Sequence, residues 1–399
     1  MTDFDRMNLH KTILFLGDGM ADEPIAELGQ RTPLQAARKP GMDRIAREGR
    51  CGTLLTLPEG YPTSSDVANM SVLGCDLATE LCGRGPLEAA SRNIRLKPHD
   101  ICFRVNLVSV DDAGILRDFS GGHIAQADAD EAVACLNAAL GSDCVRFHSG
   151  VSYRNLLVLS GSEFSANVVC DKPDDNQGNR VAEHLPRAKG AAEEATAALL
   201  RSLMARGAEA LKGRVANAIW PWSGGQAGAI HNIQERYGIR AAVISAVDVI
   251  NGLGRCLGMD VIPVVGATGY IDTNYEGKAD TAIAAIRDYD FVYVHVEAID
   301  EVSHAQDLKL KLQAIEDLDR RLISRVMDAV DPSVTLVVLP DHPVPLATGR
   351  HTRTPVPVAI WRPGWAADAV KSYDEAACQT GVLGAMKGAD LMNLLFRQP

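Results

Sequence analysis

Lys11-Thr12-Ile13-Leu14-Phe15-Leu16-Gly17-Asp18-Gly19-Met20 is the stretch on which the fold of this chain turns. Its apolar run predicts a strand over 11–16, of the kind buried in a parallel sheet. The run ends in Gly-Asp-Gly. Asp18 therefore sits where the chain leaves the sheet, between glycines that let a ligand come close.

The same texture returns downstream. Apolar runs predict strands at 52–57, 241–245, 261–265, 291–296, 334–339 and 356–361. Helical spacing predicts helices at 33–48, 247–256, 280–287 and 308–330, the last with its many charges on a solvated face. Strands alternating with helices imply an α/β domain, a mostly parallel sheet with helices on both faces. Between 101 and 190 the texture changes to short strands at 101–110, 114–119, 145–147, 153–159 and 167–170, with one helix at 127–140. We expect a core of 1–100 and 191–399, opening its second half with an alanine-rich helix at 191–211. Residues 101–190 form a smaller inserted α+β lobe.

The strand at 52–57 leads into Tyr61-Pro62-Thr63-Ser64-Ser65-Asp66-Val67-Ala68-Asn69-Met70. Pro62 and Thr63 end the preceding element. Ser64 or Ser65 then caps a helix whose apolar residues include Val67, Met70, Val72 and Leu73. A serine there faces unpaired N–H groups and the positive end of the helix dipole, which suits an alkoxide or a phosphate.

The chain has 399 residues, 46% hydrophobic and 23% charged, with a net charge of −11. That charge argues against a nucleic-acid partner held by a basic surface. No apolar run approaches the roughly 20 residues of a membrane span, so no membrane partner is expected. The polar residues 1–10 hold no signal-peptide core. Nine scattered cysteines without CxxC spacing read as reduced and structural, hence a cytoplasmic protein. The sequence assigns no oligomeric state.

Carboxylates and imidazoles collect at predicted strand ends, where α/β sheets place their sites. Asp300 and His304 share a helical face after Tyr293-Val294-His295-Val296-Glu297. Asp341-His342 follows the strand at 334–339, and His351 lies in Gly349-Arg350-His351-Thr352-Arg353. With Asp18 and a serine hydroxyl, this set is about what two neighbouring metal ions need. Oxygen and nitrogen donors without thiolate suit Mn²⁺, Zn²⁺ or Mg²⁺. Lys278, after Asn274-Tyr275-Glu276-Gly277, is either a helix-start surface lysine or a cation that neutralises a substrate's negative charge beside the metals.

Gly17-Asp18-Gly19-Met20, Ser65-Asp66-Val67-Ala68-Asn69, Asp300 with His304, Asp341-His342 and His351 resemble the alkaline-phosphatase superfamily. More closely, the chain is similar to the archaeal-type cofactor-independent phosphoglycerate mutases. The likeness extends through Gly150-Val151-Ser152-Tyr153-Arg154, Ile244-Ser245-Ala246-Val247-Asp248 and the stretch from Gly266 to Tyr275, and covers nearly the whole chain. A closely similar group is proposed to act as homoserine kinases.

The resemblance implies an alkaline-phosphatase-like core with a mobile cap. Asp300, His304 and His351 would hold one divalent metal, and Asp18, Asp341, His342 and the nucleophilic serine the other, with Mn²⁺ favoured. The family motif puts the nucleophile immediately before the acidic residue, which selects Ser65. Arg154 would grip the phosphate or carboxylate of a small phosphorylated metabolite. The implied reaction is the interconversion of 2-phosphoglycerate and 3-phosphoglycerate in glycolysis and gluconeogenesis, through a phosphoserine. The alternative is phosphoryl transfer to or from another small metabolite, such as homoserine.

The chain departs from the family pattern in the cap. Lys172-Pro173-Asp174-Asp175-Asn176 stands where Pro-His-Asp is usual, and His123 where arginine is common. Trp220-Pro221-Trp222-Ser223-Gly224-Gly225-Gln226 alters the usual glycine spacing. Gly121-Gly122 and Gly224-Gly225 are candidates for hinges, with plain turns as the alternative.

Overall fold

The structure, a computed structural model, describes residues 10–226 and 230–397. The chain forms two compact units, Met1–Leu81 with Ile230–Pro399, and Cys82–Ala229. The strands, in chain order, are β1 (Thr12–Gly17) and β2 (Arg50–Leu55), then β3 (Asp100–Val110), β4 (Leu116–Asp118), β5 (Val145–Val151), β6 (Arg154–Ser160) and β7 (Ala218–Gln226). They continue with β8 (Ala241–Ile244), β9 (Asp260–Val261), β10 (Phe291–Val296), β11 (Thr335–Leu339), β12 (Val356–Trp361) and β13 (Gly384–Lys387).

The first unit is built on an eight-stranded sheet in the order β13-β2-β12-β11-β1-β10-β8-β9. Only β12 runs against its neighbours β11 and β2. The remaining pairs are parallel. Every residue of β1, β10 and β11 is buried. Successive side chains of a strand point to opposite faces, so both faces of the central strands are covered. On one face Ile13, Phe15, Val292, Val294, Leu336 and Val338 join Ile45, Ala282, Ile315 and Leu322 of the helices in a single core. The mostly parallel α/β sheet is as expected.

The second unit holds a five-stranded sheet in which β3 pairs with β4, β6 and β7. The helices Gln126–Leu140 and Ala191–Ala210 pack on it through Ala132, Leu136, Leu200 and Leu203 against Phe103, Val105 and Leu157. This unit is larger than the expected insert of 101–190, because it takes in the helix Arg84–Ser91, the long alanine-rich helix and β7. Residues 167–170 are not a strand. Val169 makes only an isolated bridge to Arg187.

Three further corrections have local causes. The expected helix at 33–48 is two, Pro33–Ala36 and Pro40–Glu48, because the residue before a proline leaves the helical region. The helix expected at 308–330 is broken by a π turn at Leu318–Ile323. Nor is its charged face wholly solvated, since Lys311 and Asp319 are 0% exposed. Gly224 and Gly225 are not a hinge but close-approach positions inside β7, where a Cβ on Gly224 would strike the Phe103 ring at 2.2 Å. Among the described residues no helix is long and apolar enough to cross a membrane.

Candidate metal centre

Strands β11, β1 and β10 lie side by side, about 4.8 Å apart. Their C-terminal ends deliver Asp341, Asp18 and Asp300 to one place, although Asp18 is hundreds of positions from the other two in sequence. Because β12 runs antiparallel to β11, the connection 340–355 stays at that edge and brings His342 and His351 with it. Gly19 makes the approach possible. It has φ +64°, and a Cβ there would lie 2.7 Å from Asp300 Oδ1.

The donor atoms form two overlapping groups, Asp18 with Asp341 and His342, and Asp300 with His342 and His351. His342 Nε2 is 3.3 Å from both Asp18 Oδ1 and Asp341 Oδ2. His304 Nε2 is 3.2 Å from Asp300 Oδ2 and 2.9 Å from His351 Nε2. The rings of His342 and His351 stack at 3.8 Å. His304 Nδ1 faces the carbonyl of Gly349 at 2.8 Å, a contact that turns its Nε2 toward the cluster.

Ser65 opens the helix Ser65–Val72, and Ser64 occupies the N-cap position without a side-chain capping bond. Ser65 Oγ lies 3.2 Å from His342 Nε2. The loop ahead of it is held by Arg353, which donates to the carbonyls of Pro58 at 2.6 Å and Tyr61 at 2.5 Å. All seven metal-ligand candidates read from the sequence therefore meet within the first unit.

The two other catalytic candidates are placed differently. Lys278 is fully buried and donates from Nζ to the carbonyl of His295 at 2.8 Å. Burial draws its pKa down to about 8, against the pull of Glu297. Arg154 begins β6 in the second unit, exposed, with its guanidinium 5.0 Å from the Tyr153 ring centre.

Sequence reasoning passed over three residues. Asn69 donates to Asp341 Oδ2 at 2.9 Å and to the Ser65 carbonyl at 2.8 Å, and accepts from the Tyr293 hydroxyl, so it ties the serine helix to a carboxylate of the candidate cluster. His295 and Glu297 form a further donor group with Asp18. Both stand in His295-Val296-Glu297 around the C-terminal end of β10, but nothing in that stretch tells which partner they meet.

The charges suit a cation. Burial, then Asp341, Glu297 and Asp300, hold the Asp18 carboxyl well above the usual carboxylate range. Burial raises Asp341 too, against a hydrogen bond with Asp18. Burial also pushes on Asp300, but the His304 hydrogen bond and the neighbouring imidazoles outweigh it and keep Asp300 low. The Asp300 hydrogen bond lifts His304 to about 9, whereas burial and then His351 draw His342 down to about 3. Asp18 Oδ1 and Asp300 Oδ1 are buried yet accept no hydrogen bond. Buried carboxyl oxygens without a hydrogen bond, beside imidazoles and with no thiolate, fit a hard or borderline divalent cation.

A model of the metalloenzyme superfamily matches residues 10–398. The chain is 45% identical over 398 residues to the 2,3-bisphosphoglycerate-independent phosphoglycerate mutase of Methanosarcina acetivorans, covering 97% of this chain and 100% of that one. It is 43% identical over 398 residues to the Geobacter sulfurreducens protein named as a probable enzyme of the same kind, covering 97% and 99%. The solved cofactor-independent phosphoglycerate mutase of Thermoplasma acidophilum has 27% identity and a TM-score of 0.69, covering 97% and 99%. A solved Pyrococcus horikoshii protein reaches a TM-score of 0.81 at 27% identity, covering 97% and 96%. The chain belongs to the metalloenzyme superfamily and, within it, to the family of 2,3-bisphosphoglycerate-independent phosphoglycerate mutases.

Proposed function

We propose that this chain interconverts 2-phosphoglycerate and 3-phosphoglycerate without a bisphosphoglycerate cofactor, through a phosphoryl group carried on Ser65. The observation that carries this reading is the position of Ser65 Oγ, at a helix N-terminus and 3.2 Å from His342 in a cluster of metal-type donors. Asp300, His304 and His351 hold one divalent ion. Asp18, Asp341, His342 and Ser65 hold the other, with manganese our assignment for both. When bound, such ions lower the pKa of a hydroxyl and neutralise phosphate oxygens.

Ser65 Oγ forms the bond to phosphorus as the substrate's ester oxygen leaves. Glycerate then offers its other hydroxyl oxygen, which takes the phosphoryl group back and frees Ser65. Main-chain N–H groups of the Ser65–Val72 helix face the phosphate oxygens. Lys278 adds positive charge behind the cluster, and Arg154 pairs with a substrate anion through two parallel hydrogen bonds. The second unit serves as the substrate-gripping cap. The nine cysteines are all unbridged thiols, which fits a reducing, cytoplasmic setting.

The test is a coupled assay with 3-phosphoglycerate and Mn²⁺ and no added bisphosphoglycerate. The wild type is expected to turn over, and Ser65→Ala to lose activity by at least about 10³-fold while it still folds and binds metal. Full activity of Ser65→Ala would remove Ser65 as nucleophile. No turnover by the wild type, with phosphorylation of homoserine from ATP instead, would replace the mutase reading.

A further inference from the structure

His295, next to last in β10, is a fully buried imidazole that the proposed reaction does not use. Its Nε2 lies 3.0 Å from Asp18 Oδ2, and its Nδ1 lies 3.2 Å from Ser245 Oγ. Ser245 Oγ itself accepts a hydrogen bond from the Val247 N–H at 3.0 Å. The Asp18 carboxylate oxygen can only accept, so a neutral His295 donates to it from Nε2, and Nδ1 is left to accept the Ser245 hydroxyl hydrogen. An imidazole that accepts at Nδ1 carries its proton at Nε2 and donates from there. The recipient is Asp18 Oδ2. The other oxygen of the same carboxylate, Oδ1, is buried, accepts no hydrogen bond and faces His342 and the remaining donors.

The backbone beneath this chain of contacts is held as well. Lys278 Nζ donates to the His295 carbonyl at 2.8 Å, and β10 is paired along its length with β1, whose end carries Asp18. Every side chain from Ser245 to Asp18 is at least nine-tenths buried, so water does not compete for these hydrogen bonds.

We infer that Ser245 and His295 form a two-step positioning relay for Asp18, fixing one carboxylate oxygen so that the other is presented to a divalent ion. His295 touches no reacting atom and is a positioning residue, not a ligand of either ion. The inference rests on the metal reading above. Its consequence is a preformed site. Without the Nε2–H donor, the Asp18 carboxylate can rotate, and a ligand that must be ordered on binding holds its ion less tightly.

Mn²⁺ binding to the purified full-length protein, followed by electron paramagnetic resonance without substrate, tests this. His295→Ala is expected to weaken binding of one of two ions by about 10- to 100-fold and to leave the other near its wild-type affinity. Ser245→Ala is a milder probe that keeps the imidazole in place, and it should weaken the same ion less. His295→Gln keeps an N–H donor near the Nε2 position and is expected to restore most of the affinity. In the coupled assay kcat should fall in His295→Ala at saturating Mn²⁺, with KM for 3-phosphoglycerate unchanged.

Wild-type affinity for both ions in His295→Ala and Ser245→Ala would overturn the relay. So would a third ion in the wild type that His295→Ala alone loses, since His295 would then be a ligand with Asp18 and Glu297. Asp18→Asn separates the two levels. If it binds both ions as the wild type does, the metal reading itself falls. If it loses one while His295→Ala loses none, only the relay falls.

Discussion

Glu80 is 1% exposed and receives the N–H groups of Asp76 at 2.6 Å and His231 at 2.7 Å, the His231 ring at 2.9 Å, and the Arg236 guanidinium. Burial pushes its carboxyl up, but these donors together hold it below its ordinary value. A carboxyl depressed on folding contributes stability above its unfolded pKa, about 4.5 here, and loses it as pH falls through the folded value. Glu80→Gln is therefore expected to cost about 1–3 kcal/mol at pH 7 and progressively less below pH 4.5. Urea melts of both proteins from pH 7 to 3 check this, and a constant difference would contradict it. At this scale the proposed ligands could be read from the chain, Asp18, Asp341 and His342 as polar residues just past an apolar run, Asp300 and His304 from their helical spacing, and His351 from its glycine-flanked loop. His295 could not. A histidine inside a buried strand reads as core, and its partner Asp18 is 277 positions away.

Among the elements, the π turn Leu318–Ile323 has a definite task. It carries Asp319, fully buried, whose carboxylate accepts from Gly41 N at 3.0 Å and Met42 N at 2.6 Å. These are first-turn donors of the helix Pro40–Glu48, whose N-cap residue Lys39 makes no side-chain cap. Asp319 thus caps a helix from outside and complements its dipole. Asp319→Ala should lower stability by about 1–3 kcal/mol, with Mn²⁺ affinity unchanged. Denaturant melts and metal titration together test it, and a parallel loss of metal affinity would refute the assignment. Helical spacing announces the 308–330 segment but not the turn inside it, because one extra residue per turn barely disturbs the apolar pattern. Strand β7 was also missed. Pro221 argues against a central strand, yet β7 pairs only with β3, and an edge tolerates proline.

For the whole molecule, every proposed metal ligand lies in the unit formed by Met1–Leu81 and Ile230–Pro399. Ions that bind the folded but not the unfolded chain stabilise it by about 2.7 kcal/mol at a hundred times Kd. Calorimetry should show a transition that falls in temperature with a chelator and recovers with Mn²⁺, in the wild type and in Ser65→Ala alike. A transition indifferent to both would count against the centre. The sequence by itself determined the α/β rhythm, the strand-end positions of Asp18, Asp300, Asp341 and His342, and the serine helix, because apolar periodicity and local turn chemistry are short-range properties. Only the tertiary structure decided that β11, β1 and β10 are neighbours, that β12 reverses to keep His351 at the same edge, and that His295 meets Asp18. Strand order and burial are long-range outcomes of packing, and no local pattern encodes which strand lies beside which.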